Sequence, residues 1–219
     1  MAEDGLAPAP SGPVRGPIAD GVTGVVICGG HGRRIQPAAP TIAAAPIEKG
    51  LVLAGGREMV AAVLDRLSPQ VDAVVVNANR RLDRYRALGH PVVPDVLADA
   101  GPLAGLLAAM PACRTRWLAT VPCDAPALPR DLVARLADAA VTARARAAFA
   151  RCGDRAQPVF ALVDTSLRPD LERYLHAGGR RLDAWFASVD AVPVDFGDPA
   201  SFVNINTATD LAAFEASLS

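Results

Sequence analysis

The segment Cys28-Gly29-Gly30-His31-Gly32-Arg33-Arg34 directly follows the apolar run Val22 to Cys28. Glycines let backbone N–H groups come close to an anion, and arginines pair with phosphate. Glu48-Lys49-Gly50 comes next, and Lys49 is the only lysine in the chain; every other member of the Lys+Arg total of 22 is an arginine. An ammonium is a compact point charge suited to phosphate, and keeping a single lysine hints at a role that arginine cannot fill. In Val121-Pro122-Cys123-Asp124-Ala125-Pro126 an apolar run ends in a carboxylate. Ligands of open α/β sheets sit at the carboxyl ends of strands, where an aspartate can hold Mg²⁺ against nucleotide phosphates. Asn77 and Asp95 end their own apolar runs in the same way.

Two weaker features join these. Gly101-Pro102-Leu103-Ala104-Gly105 enters a helix and can lie flat against a base or ribose. In Phe202-Val203-Asn204-Ile205-Asn206-Thr207, Asn204 and Asn206 share a face if the segment is a strand. Each feature alone also fits a purely structural role. The glycine loop can be a tight β–α turn with solvated arginines, Asp124 a helix or turn cap, and the asparagines an Asx turn. The first loop is neither G-x-G-x-x-G nor a Walker A loop, which argues against a dinucleotide-dependent oxidoreductase.

Elements that would position these groups are legible as alternating runs. Strands are expected at Val22–Cys28, Val71–Val76, Pro91–Asp95 and Trp117–Val121. Helices are expected at Arg57–Leu67, Arg80–Leu88, Leu103–Met110 and Pro129–Ala140, the last with Pro129 in its first turn. Farther on, Arg144–Ala150, Pro158–Val163 and Val192–Phe196 read as strands. Leu167–His176, Arg181–Phe186 and Thr207–Leu218 read as helices, with Thr207 as N-cap. Such alternation argues for a mostly parallel sheet flanked by helices.

Composition narrows the function class. Of 219 residues 51% are apolar but only 5% aromatic, so Ala, Val and Leu must build the core. A formal charge of -1 gives no global field for nucleic acid or anionic membrane. The four cysteines form no C-x-x-C pair, which leaves zinc and thioredoxin-type chemistry without support and fits a reducing cytosol. No apolar run nears the length of a membrane span. Residues 1–20, rich in Ala, Pro and Gly, read as a disordered lead before a single domain over 21–219. Glu3 and Asp4 do not fit a signal peptide.

Taken in order, xxGGxxRR, EKGL, RLSPQV, NANR, PVVPD, GPLAG, PCDAPALPRDL, AQPVFALV, YLHAGGRRL and FVNINTATDL resemble the molybdenum cofactor guanylyltransferases. These belong to the Rossmann-like nucleotidyltransferase superfamily. The resemblance covers residues 22 to 214 and implies an α/β, three-layer Rossmann-like nucleotidyltransferase fold with a mostly parallel central sheet. It implies transfer of GMP from GTP to molybdenum-molybdopterin with Mg²⁺, in the cytoplasm. Ile27, Cys28 and Gly29 stand where the family contacts the guanine nucleotide. Arg34 and Lys49 would hold the triphosphate, Asn77 and Asp95 the nucleotide, and Asp124 both GTP and Mg²⁺. Gly30, Gly101, Gly105, Asn204 and Asn206 are further candidates, and Arg180 and Arg181 are candidates for the pterin phosphate. The chain is expected to act as a monomer, with transient contacts to cofactor-synthesis proteins or molybdoenzyme chaperones.

The sibling cytidylyltransferases differ in the first loop and lack Pro-Cys-Asp; Gly29-Gly30 and Pro122-Cys123-Asp124 favour guanine. One departure is large. The family loop Arg-Met-Gly-Gly-x-Asp-Lys is replaced by Arg34-Ile35-Gln36-Pro37, an Ala/Pro-rich stretch and Ile47-Glu48-Lys49. Prolines remove amide donors from the phosphate cradle. A non-catalytic nucleotide- or pterin-binding maturation partner is therefore the alternative from another class, and turnover separates it from an enzyme.

Overall fold

The computed structural model describes residues 18, 20–29 and 48–218. Its core is a seven-stranded sheet in the order β5-β4-β1-β6-β8-β7-β9. The strands are β1 (Val22–Ile27), β4 (Ala73–Asn77), β5 (Val92–Val93), β6 (Trp117–Pro122), β7 (Ala147–Cys152), β8 (Arg155–Asp164) and β9 (Val192–Asp195). A separate two-stranded hairpin pairs β2 (Leu53–Ala54) with β3 (Arg57–Glu58). Pairings β1–β4, β1–β6, β4–β5 and β7–β9 are parallel, while β8 runs antiparallel to both β6 and β7. The expectation of a mostly parallel sheet is met.

Parallel strands covered on both faces must be apolar throughout, and β1 and β6 are buried at every position. Their side chains alternate between two cores. Val26 and Val121 join the helices α1 (Met59–Leu67), α2 (Leu82–Arg86) and α4 (Leu132–Ala143) on one face. Val25, Ile27 and Leu118 join α3 (Pro102–Ala109), α5 (Arg168–His176) and α6 (Leu182–Ser188) on the other. The result is three layers. The last helix, α7 (Ala208–Ala216), instead lies by the hairpin, with Leu211 and Phe214 packed around Ala54, Met59 and Ile205. Both edges of the sheet are short, and β9 carries Pro193, which blunts it against pairing with other chains.

Several sequence-based boundaries shift, for local reasons. Gly55 and Gly56, both at positive φ, turn the chain into a hairpin, so Arg57 and Glu58 are strand and α1 starts at Met59. Arg81 is left-handed (φ 49), which cuts the expected helix 80–88 down to α2. Pro129 precedes α4, whose first helical residue is Leu132, rather than lying in its first turn. Arg144 is the left-handed end of α4 (φ 52), so β7 cannot begin before it and starts at Ala147. Residues 203–206 form no strand, so the shared face expected for Asn204 and Asn206 does not exist. Thr207 does cap α7, in a capping box with Asp210. Among the described residues no helix is long and apolar enough to cross a membrane.

At the end of β8 the Asp164 carboxylate is 2% exposed. Burial draws its carboxyl upward, but the Ser166 N–H (2.9 Å) and Arg116 Nε (2.8 Å) outweigh that and hold it below the ordinary carboxylate range. A depressed folded-state value stabilises the fold above the ordinary range and is lost as pH falls through it. Arg116→Met should therefore lower stability modestly at pH 7, because the arginine is more than half exposed and solvent screens the pair. Urea midpoints should show this, and the gap to the parent should close in acid.

Candidate active site

The carboxyl ends of β5, β4, β1 and β6 lie side by side, and every strand-end candidate falls on this edge. Cys28 and Gly29 leave β1, Asn77 ends β4, Asp95 lies two residues beyond β5 and Asp124 two beyond β6. Backbone bonds carry the parallel ladders past the strand ends, from Cys28 N–H to Asn77 O (2.8 Å) and from Cys123 N–H to Ile27 O (3.1 Å).

One half of the edge is an amide–carboxylate network in which Asn77 Oδ1 alone has no partner among the described residues. Asn77 Nδ2 donates to Val93 O (3.2 Å) and Asp95 Oδ1 (2.8 Å). Asn79 Nδ2 donates to Asp95 Oδ2 (2.7 Å), and Asp95 N–H donates back to Asn79 Oδ1 (2.8 Å). Asn79, a residue of the NANR motif without a role in the sequence reading, is thus the partner that fixes Asp95. Its only signal was its spacing of two from Asn77. Two glycines border this network. A Cβ on Gly29 would stand 3.1–3.2 Å from Asn79 Nδ2, Asn77 Oδ1 and Asp95 Oδ2. A Cβ on Gly105 would run into Asn77 Oδ1 and stand 2.7 Å from its Cγ. Gly101, which precedes α3, has φ 59 and ψ -149, a region open essentially to glycine alone.

The other half centres on Lys49. It begins a single 3₁₀ turn, Lys49–Leu51, on which the chain sits down tightly. A Cβ on Gly50 would meet Tyr85 Oη at 2.9 Å and Cys123 Sγ at 3.3 Å. Lys49 Nζ donates to Asp124 Oδ2 (3.3 Å) and to Asn206 Oδ1. Burial pushes the Asp124 carboxyl above its usual range, and attraction to the Lys49 ammonium offsets only part of the shift. Arg80 stands at the outer side, 3.9 Å from Glu48 Oε1. Beneath, burial pushes the Cys28 thiol and the Tyr85 hydroxyl well up, so both stay protonated and neither is a nucleophile.

Asn204 and Asn206 are not equivalent. Asn206 reaches Lys49, whereas Asn204 Oδ1 is buried without a hydrogen-bond partner among the described residues. Arg180 and Arg181 lie between α5 and α6 and bond locally, Arg180 to Leu175 O and Gly179 O, and Arg181 to Asp183. Gly30 and Arg34, the rest of the lengthened loop and most of the 1–20 lead lie outside the described residues.

Among the described residues no group of three or more His, Cys, Asp or Glu side chains could hold a metal ion. That excludes an all-protein cage of those residues there, but suits Mg²⁺, which keeps waters and is held by one or two carboxylates together with substrate phosphates. Asp124, buried and with Lys49 as its side-chain cation among the described residues, has the chemistry of such a carboxylate.

Residues 24–192 match the family model described as MobA-like NTP transferase domain. A molybdenum cofactor guanylyltransferase of Ralstonia nicotianae is 44% identical over 200 residues, 87% of this chain and 94% of that protein. One from Bordetella petrii is 46% identical over 198 residues, 87% and 95% of the two chains. Among solved structures, molybdopterin-guanine dinucleotide biosynthesis protein A of Archaeoglobus fulgidus has the same fold (TM-score 0.72, 22% identity, 90% and 98% covered).

The contact between Gly105 and Asn77 can be tested. Gly105→Ala should cost roughly 1–3 kcal/mol through overpacking, read by denaturant unfolding. Because Asn77 must move to make room, the variant should also lose nucleotide affinity in calorimetry, more than its stability loss alone would cause.

Proposed function

The chain belongs to the MobA-like NTP transferase family, and on that premise we infer that it transfers GMP from GTP to molybdenum-molybdopterin. The products are the molybdopterin guanine dinucleotide cofactor and pyrophosphate. The observation that carries this reading is the buried Lys49–Asp124 pair, 3.3 Å apart on the strand edge that also holds Gly29, Asn77 and Asp95. It combines a phosphate-seeking cation and a cation-seeking carboxylate beside a glycine turn. The relatives named guanylyltransferases support the choice of base and acceptor.

A terminal phosphate oxygen of the molybdopterin attacks the α-phosphorus of GTP in line. The new P–O bond forms as the bond to the bridging oxygen of pyrophosphate breaks, and no covalent enzyme intermediate is needed. Lys49, with Arg34 from the first loop, neutralises the triphosphate. Asp124 would hold Mg²⁺, which when bound supplies charge neutralisation to the phosphates. Asn77 and Asp95, locked by Asn79, present a rigid polar wall to the nucleoside, beside the backbone of Ile27, Cys28 and Gly29. Because no bond to the enzyme is made, catalysis rests on position and charge. The surroundings we propose are cytoplasmic and the working form monomeric, with passing contacts to cofactor-synthesis proteins or molybdoenzyme chaperones.

The direct experiment is incubation with GTP, Mg²⁺ and molybdenum-loaded molybdopterin, assayed for the guanine dinucleotide; binding of GTP without product would favour the non-catalytic alternative. Asp124→Asn should lower turnover by about 10²–10³-fold, since it removes a ligand for the neutralising cation. Its thermal midpoint should equal or exceed the parent's at pH 7. The folded-state value is raised, so ionised Asp124 costs stability above its folded pKa, and the amide removes that cost. Lys49→Ala should weaken GTP binding and turnover together. Calorimetry should rank GTP above CTP and ATP, and equal affinities would remove guanine from the reading.

A further inference from the structure

We propose that Asn206 is a positioning residue that keeps Lys49 in place when Asp124 passes from the lysine to a divalent cation. This rests on the function proposed above. Among the described residues the ammonium has two acceptors, Asp124 Oδ2 at 3.3 Å and Asn206 Oδ1. The same carboxylate cannot serve fully as the lysine's counterion and as a ligand of Mg²⁺. Once Asp124 turns to the cation, Lys49 retains one acceptor in this cluster, and it is neutral.

Neutrality matters here. A second carboxylate at this position would compete for the cation and cancel the ammonium's charge toward the triphosphate. An amide oxygen holds the ammonium and leaves its charge free for phosphate.

Asn206 is itself held firmly. Its Nδ2 donates to Asn204 O (3.3 Å), which turns its Oδ1 toward Lys49. Its backbone N–H donates to Asp210 Oδ2 (2.9 Å), the carboxylate that closes the capping box of α7. One residue earlier, Ile205 N–H donates to Asp124 O (2.8 Å). The segment that carries Asn206 is thus tied at one end to the cation-binding residue and at the other to a helix start. This fixes Asn206 relative to Asp124 by backbone, so the amide stays where the ammonium meets it.

The chain offers an unusual handle, because Lys49 is its only lysine. Protein labelled with [ε-¹³C]lysine gives one lysine ε-methylene resonance. Titrating the parent with Mg²⁺ alone should move that resonance saturably, without bringing it to the position and line width of free lysine. Asn206→Ala should resemble the parent before Mg²⁺ is added, since Asp124 still holds the ammonium, and collapse toward the free-lysine signal as Mg²⁺ is added. Its KM for GTP should rise roughly tenfold with a much smaller change in kcat, the cost of losing one hydrogen bond to a charged group. Asn206→Asp should keep the resonance dispersed yet fail to restore KM. Asp124→Asn should abolish the response to Mg²⁺.

A parent resonance unmoved by Mg²⁺, in protein that binds Mg²⁺ and GTP together, would overturn the inference and leave the function standing. So would an Asn206→Ala spectrum identical to the parent's throughout. A parent that binds no GTP with Mg²⁺ would defeat the proposed function, and this inference with it.

Discussion

Burying a carboxylate at the end of a central strand is costly unless something answers its charge, and the arrangement around Asp124 is organised by that cost. Its carboxyl sits above the usual range because of burial, and the Lys49 ammonium only partly compensates. In the function proposed for the chain, a doubly charged ion would answer what a single ammonium leaves over. The rest of the cluster keeps the arrangement from collapsing in the meantime. Gly50 lets the Lys49 turn settle against Tyr85 and Cys123, and the capped start of α7 brings Asn206 to the ammonium.

The side of the edge with Asn77 and Asp95 is built differently. There Asn77, Asn79 and Asp95 exchange three hydrogen bonds, counting the backbone N–H of Asp95, and Asn77 Nδ2 also donates to Val93 O, which leaves Asn77 Oδ1 as the one atom of the group with no partner among the described residues. Such a network is rigid because each member restricts the others. Gly29 and Gly105 matter less as turns than as absences, since their missing Cβ atoms are what let β1 and α3 close on Asn77. One half of the edge is therefore preorganised, and the other half holds a pair of charges that can be exchanged. That division suits a reaction in which the base must be recognised the same way each time while metal and phosphates arrive and leave.

The sheet beneath explains why the two halves can be so close. Four parallel strands end on one line; β4, β5 and β6 add Asn77, Asp95 and Asp124 at or just past their last apolar positions, and β1 adds the Cys28-Gly29 turn. Antiparallel β8 turns its amino end to this edge, and β7 and β9 lie beyond it. They supply packing instead, through Phe160 against Phe202 and Phe149 stacked on Phe186.

Strand runs, the strand-end residues and the family motifs could be read from the chain because they are local. Apolar runs mark strands buried on both faces, and a polar residue after each marks the ligand edge. Thr207 as an N-cap was legible for the same reason. What only the tertiary structure decided is which strand-end groups meet. Nothing in the spacing of 49, 124 and 206 says that one ammonium joins all three, because two crossovers and a helix cap set that geometry. Asn79 took its role from the neighbouring strand, since its hydrogen bonds cross to Asp95. The boundaries at Gly55-Gly56, Arg81 and Arg144 moved because each turns on a left-handed backbone residue, a conformation that periodicity does not register.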